Sequence, residues 1–229
     1  MDWQDFAVRL AATARELLAA DSVDATLDRV THSALDLIEG CTAAGVLLLS
    51  RGTAQTLAPT DRLVNDSDAL QAELGEGPCF DAARTGHPVF RIEDLTEEHV
   101  RWPAYAPRAK ALGIGSMMGF LLYTEDEDLG ALNVYSAKPG AFTEDSQTAG
   151  WTLAAHAAVA FASARQHAQL EKAVASRHTI GEAMGILMAG HQLSEREAFD
   201  VLRRYSQEKN VKLREVAALV CERGDLHEA

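Results

Sequence analysis

A run from Trp151 to Ile180 without a glycine or proline constrains this chain of 229 residues more than any other feature. Those two residues are the usual breakers of helices, and the run keeps helical spacing throughout. Leu153, Ala157, Phe161, Ala164 and Ala168 recur on one face, and Leu170, Val174, Arg177, Ile180 and Met184 continue at the same spacing. One helix is therefore expected to leave a domain capped at Thr143 and to reach about Ala189. Its part from Trp151 onward would measure roughly 58 Å at ~1.5 Å per residue. The stripe on so long a helix needs a partner. The spacing predicts a parallel pairing in a homodimer, with a single helix lying on its own domain as the alternative.

Two sharp stops divide the chain beyond this helix. Ser194 with Glu197 three residues later is a capping box that opens a second helix. Asn210 tolerates a left-handed turn and separates that helix from a third holding Leu213, Val216 and Val220. Charge adds a functional hint. The net charge of −13 opposes a nucleic-acid partner at first sight, because phosphates repel an acidic surface. Its distribution is uneven: residues 1–174 carry −12, whereas residues 175–223 carry +1 from 8 basic and 7 acidic groups. Arg203, Arg204, Lys209, Lys212 and Arg214 fall within twelve positions, a local patch able to contact phosphate.

This carboxy-terminal segment holds Arg177-x-x-Ile180-x-x-Ala183-x-Gly185-Ile186-Leu187-Met188, then Ala198-Phe199-x-x-Leu202-Arg203 with Ser206, and Asn210-x-Lys212-Leu213-x-x-Val216-Ala217. In these motifs it resembles the ANTAR domain, a bacterial RNA-binding antitermination module. It departs at Met184, where family members often carry a basic residue. The resemblance implies RNA contact by Arg177, Ala183, Gly185, Arg203, Arg204, Ser206, Asn210 and Lys212. Arg203 and Lys212 would meet phosphates, with Arg204 beside them. Ser206 and Asn210 would hydrogen-bond unstacked loop bases, and Ala183 and Gly185 would give a shallow helix surface for close approach. Read without the resemblance, the same cations are a solvated helix face with pairs such as Glu208–Lys212.

The front of the chain reads as an α+β domain on a mainly antiparallel sheet. Helices are expected over Trp3–Ala20 and from Ser22 to Ile38, then a buried strand Ala43–Ser50 with its hairpin partner. A further strand covers Pro88–Leu95, a helix ends at Leu112, and a second hairpin joins Ser116–Thr124 to Leu129–Ala137 across the acidic turn Glu125–Asp128. The telling segments of this region are Gly75–Cys79, Arg84–Val89, Arg101–Pro103 and Gly130–Ser136. Through them residues 21–165 resemble a GAF domain, a small-molecule-sensing fold. Together the two resemblances point to the GAF–ANTAR regulators common in actinobacteria. The implied division is a GAF sensor over 1–165 and an ANTAR domain over 166–229, sharing a linker helix at about 151–175.

Chemistry narrows the function further. No hydrolase, P-loop, dinucleotide or metalloprotease motif is present, the eight histidines are scattered, and neither an enzyme, a metal nor a cofactor is implied. Three widely spaced cysteines suggest reduced thiols. Cys79, behind Pro78 at the start of a short helix, is a candidate for ligand or redox chemistry, and Trp102 for lining a pocket; a buried thiol and a packed ring are the plainer readings. The cyclic-nucleotide signature of some GAF domains is absent. With no apolar run near the ~20 residues of a spanning helix and no secretory leader, a cytoplasmic protein is expected. The resulting expectation is a signal-responsive antiterminator. A dimeric ANTAR pair would bind paired hairpin loops in nascent mRNA leaders, gated by a small molecule or signalling protein at the GAF domain. A DNA reader is disfavoured because the third helix is too apolar. A redox protein using Cys79 and a dimerisation adaptor without RNA binding remain as alternatives.

Overall fold

The computed structural model describes residues 1–50, 53–78, 81, 89–95, 101–123 and 128–226. Cys79, the segment Arg84–Pro88, the tip of the acidic turn at 124–127 and His99 and His227 lie outside the described residues. The chain divides into two compact units, Met1–Arg165 and Gln166–Ala229.

The first unit is built on a five-stranded sheet in the order β2-β1-β5-β4-β3, every neighbouring pair antiparallel. The strands are β1 (Ala43–Ser50), β2 (Thr53–Leu57), β3 (Val89–Ile92), β4 (Ser116–Tyr123) and β5 (Asp128–Ser136). The helices are α1 (Trp3–Leu18), α2 (Val23–Leu37), α3 (Arg62–Leu74) and α4 (Tyr105–Ala111), followed by the long α5 (Glu144–His191). Local chemistry sets several boundaries. Asp2 and Ser22 accept backbone N–H bonds at the starts of α1 and α2, and Thr143 does the same for Ser146 at the start of α5.

The period-2 alternation of side chains assigns the two faces of the sheet. Ala44 and Val46, Met118, Phe120 and Leu122, and Leu132 and Val134 point to one side, where they form one core with α1, α2 and the front half of α5. Ala43, Met117 and Tyr135, on the other parity, pack with α3 and α4. Gly150 allows α5 to lie close to the sheet: a Cβ there would stand 2.3 Å from Phe120 Cζ.

This packing corrects part of the expected dimer seam. Leu153, Ala157 and Phe161 are at most 2% exposed in the first unit's own core, so they face the sheet and no second copy. The apolar side chains that α5 leaves most open to solvent are Trp151, Val159, Leu170 and Val174.

The second unit consists of the end of α5, α6 (Glu195–Lys209) and α7 (Leu213–Arg223). Its core is Ala183 and Leu187 from α5, Ala198 and Leu202 from α6, and Val216, Ala217 and Val220 from α7. The capping box at Ser194 is formed in both directions, and its bonds hold the Glu197 carboxyl below its ordinary range. Asn210 takes the left-handed conformation at φ 52°, and Gly224 does so behind α7 at φ 80°.

Candidate nucleic-acid interface

The cations of the second unit stand on exposed backbone that the three-helix core holds in place. Arg177 projects from α5, Arg204 from α6, and Lys212 from the N-cap of α7. All three are exposed, and none of their side chains is engaged in a hydrogen bond or ion pair among the described residues. Arg196, in the first turn of α6, is likewise unengaged among them. Arg203 is exposed but donates to Asp200 at 2.8 Å, an i,i+3 surface pair of the kind that contributes only ~0–1 kcal/mol and is readily exchanged for another anion. Lys209 stands 5.9 Å from the Tyr205 ring centroid. The expected Glu208–Lys212 pair does not form: α6 ends at Lys209 and Asn210 turns left-handed, so the two side chains are not one helical turn apart.

Three sequence-derived site residues change their meaning. Ala183 is 0% exposed between α6 and α7, so it belongs to the core and offers no surface to RNA. Ser206 donates its hydroxyl to Val211 O at 2.6 Å, and Val211 N–H donates to Ser206 O at 3.0 Å. This clasp closes the α6–α7 turn and commits the donor proposed for a base. Asn210 is exposed, and its first duty is the left-handed turn. Gly185 is exposed with nothing within 4 Å of a Cβ placed on it, which keeps a shallow surface there.

Phe199, in the sequence only one of the motif matches, is placed conspicuously. Arg196, Phe199 and Arg203 stand at i, i+3 and i+7 on the exposed face of α6, and Phe199 is 37% exposed. That amphipathic interruption, an aromatic between two arginines at helical spacing, was visible in the sequence.

In the first unit the two ligand candidates fare differently. Trp102 is 2% exposed, and its indole N–H donates to Asp81 at 3.0 Å, while Arg101 lies over its ring at 4.6 Å. The ring is a packing element. Cys79 lies outside the described residues. Between the sheet and α3/α4, Val64, Leu70, Trp102, Tyr105, Met117 and Tyr135 form part of one buried cluster, each at most 5% exposed. Within this packing sits Asp68, 2% exposed, which accepts hydroxyl bonds from Thr56 at 2.8 Å and Tyr135 at 3.2 Å. Burial pushes its carboxyl up to about 6, against the lowering effect of those two bonds. Cys41 is pushed up to about 12 by burial, the thiol of an unreactive cysteine. Among the described residues, no group of three His, Cys, Asp or Glu could hold a metal ion, and no helix is long and apolar enough to cross a membrane.

Residues 20–162, more than half of the chain, match the family model of the GAF domain. The chain belongs to the GAF domain family. Residues 168–220 match the model of the ANTAR domain, so the order of domains is that of a GAF–ANTAR regulator. A search of curated proteins returns no match. Among solved structures, the chain is similar to the GAF domain from a Coxiella burnetii phosphoenolpyruvate-protein phosphotransferase. That likeness has a TM-score of 0.57 at 18% identity and covers 74% of this chain and 99% of the other. The GAF domain of the corresponding Acinetobacter protein gives 0.53 at 18% identity, with 72% and 96% covered. The photosensory core module of a Stigmatella aurantiaca phytochrome gives 0.61 at 10% identity over 86% of this chain; the chain spans only 44% of that module. These likenesses establish the GAF fold. The two families are sensory and regulatory rather than catalytic.

Proposed function

We propose that this chain is a cytoplasmic transcription antiterminator. In this reading its ANTAR domains, held as a parallel homodimer, bind paired hairpin loops in nascent mRNA leaders and prevent a terminator from forming. The observation that carries the proposal is the ANTAR unit itself: a three-helix scaffold that leaves Arg177, Arg196, Arg204 and Lys212 exposed and, among the described residues, unengaged in a chain of net charge −13. Cations that form no internal pair have none to break when they turn toward phosphate. The acidic remainder of the chain would suppress attachment to bulk nucleic acid, which suits a selective reader. Arg177, Arg203, Arg204 and Lys212 would position the backbone, Gly185 would allow close approach, and the Asn210 side chain would meet a loop base. Ser206 would support this surface through its clasp on Val211.

Dimerisation is supported by Leu170 and Val174, which are 58% and 67% exposed at i and i+4 on α5. The GAF domain would gate the output through a small molecule or a signalling protein. Among the described residues, Val64, Leu70, Trp102, Tyr105, Met117 and Tyr135 pack against one another, so a ligand would have to displace some of them or bind outside that cluster. The experiment is a comparison of RNAs carrying one or two hairpins. Two linked readers raise the effective concentration of the second contact, so the two-hairpin RNA should bind at least about tenfold more tightly. Equal affinity would exclude the paired mechanism.

A further inference from the structure

We infer that the groove between the end of α5 and the start of α6 takes one unstacked nucleobase of a bound RNA loop, with Phe199 as its stacking platform. The inference rests on the proposed RNA binding and assigns the specificity-bearing contact within it. The groove is open, encloses about 680 Å³, and is floored by Ile180, Met184 and Phe199. Arg177 lines it from α5 and Arg196 from α6, and Glu195 beside Arg196 lines it as well.

Three properties select a nucleotide as the occupant. Phe199 leaves over a third of its surface in water although Ala198 beside it is fully buried, so the ring is spare to the fold. Ile180 and Met184 are only partly buried, and they extend the apolar floor beside the ring. The two guanidinium groups at the walls have no internal partner among the described residues. A base offers a flat apolar face to the floor, and its phosphate offers an anion to the walls; both needs of the groove are then met together. An apolar helix of another protein would cover the floor but leave two guanidinium groups desolvated and unpaired.

A second copy of this chain fits less well for a related reason. In a parallel pairing along Leu170 and Val174, the next position of the stripe would set Arg177 against Arg177 of the other copy. Like charges there end the apolar seam before it reaches the groove.

The test uses the full chain and a synthetic pool of tandem hairpins with randomised loops. RNAs retained by the native protein are resynthesised with 2-aminopurine at each loop position in turn. Stacking on an aromatic ring is expected to quench one of these positions. Phe199→Ala should then bind roughly 5- to 150-fold more weakly and lose the quenching. Phe199→Tyr should keep both, and Phe199→Leu should keep the fold, checked by thermal unfolding, while losing the quenching. Retained binding by Phe199→Ala and Phe199→Leu with no quenched position overturns the base pocket and leaves the RNA-binding reading intact. A dimer that dissociates in Phe199→Ala, with RNA affinity per ANTAR unit unchanged, also overturns it and gives the groove to the second copy. A pool from which nothing is retained overturns both readings.

Discussion

Replacing Asp68 by asparagine should make the GAF domain more stable at neutral pH. Asp68 is buried with no cation beside it among the described residues, and its carboxyl titrates at about 6 instead of 3.8 because burial penalises the charged form more than its two hydroxyl partners help it. Between those two values the folded protein holds a proton that the unfolded chain has released. Stability from this group is therefore fully present below about pH 3.8 and is lost as pH rises through about 6. The size of the loss, at ~1.36 kcal/mol per pH unit of displacement, is about 3 kcal/mol. Asparagine is the neutral isostere: its oxygen can accept from Tyr135, and the Thr56 hydroxyl can turn to accept from the amide. Asp68→Asn should thus gain about 3 kcal/mol at pH 7.5 and almost nothing at pH 4. The assay is denaturant or thermal unfolding followed through the GAF domain's tryptophans from pH 4 to 8. For a domain of this size the gain would appear as a melting shift of roughly 6–12 °C. A variant no more stable than the native chain at pH 7.5, or with an undiminished fall in stability between pH 4 and 6, would refute the reasoning.

Three other perturbations probe separate parts of the molecule. Gly150→Ala should destabilise the GAF domain by about 1–3 kcal/mol or more in chemical denaturation, because the new methyl must displace the Phe120 ring or the helix itself. Ser194→Ala removes the hydroxyl half of the capping box on α6, leaving the backbone N–H of residue 194 on the Glu197 carboxylate, and should cost the ANTAR domain about 1 kcal/mol, read from its melting and not from that of the GAF domain. Leu170→Glu together with Val174→Glu should leave the helical circular dichroism intact and shift the sedimentation coefficient to that of a monomer. A sedimentation coefficient unchanged from that of the native chain would contradict the proposed pairing along Leu170 and Val174.

The limits of legibility in the sequence were physical ones. Periodicity and caps located the elements well: Ser22, Ser194 and Asn210 act as local signals, and local signals survive in any tertiary setting. The unbroken helix was legible for the same reason. What a stripe on that helix packs against was not, since a sheet and a second helix accept the same spacing. Leu153, Ala157 and Phe161 went to the sheet because Gly150 admits Phe120 close to α5. Ala183 illustrates a related ambiguity: a small residue in a motif can mark either an open surface or a tight contact, and here α6 and α7 close over it. Ser206 and Lys212 depended on the turn at Asn210, whose geometry paired the serine with Val211 and freed the lysine from Glu208. Asp68 left no sequence signal, because its neighbours Thr56 and Tyr135 come from strands 12 and 67 residues away.

Affinity for a two-hairpin leader RNA, measured at stated salt beside a one-hairpin control and the double variant Arg204→Ala, Lys212→Ala, tests the central claim most directly. The account predicts at least about tenfold preference for the two-hairpin RNA. It also predicts weaker binding by the variant across all sequences, with the salt dependence reduced by about one to two ion equivalents per reader. Equal binding of one and two hairpins, or an unchanged salt slope in the variant, would contradict it.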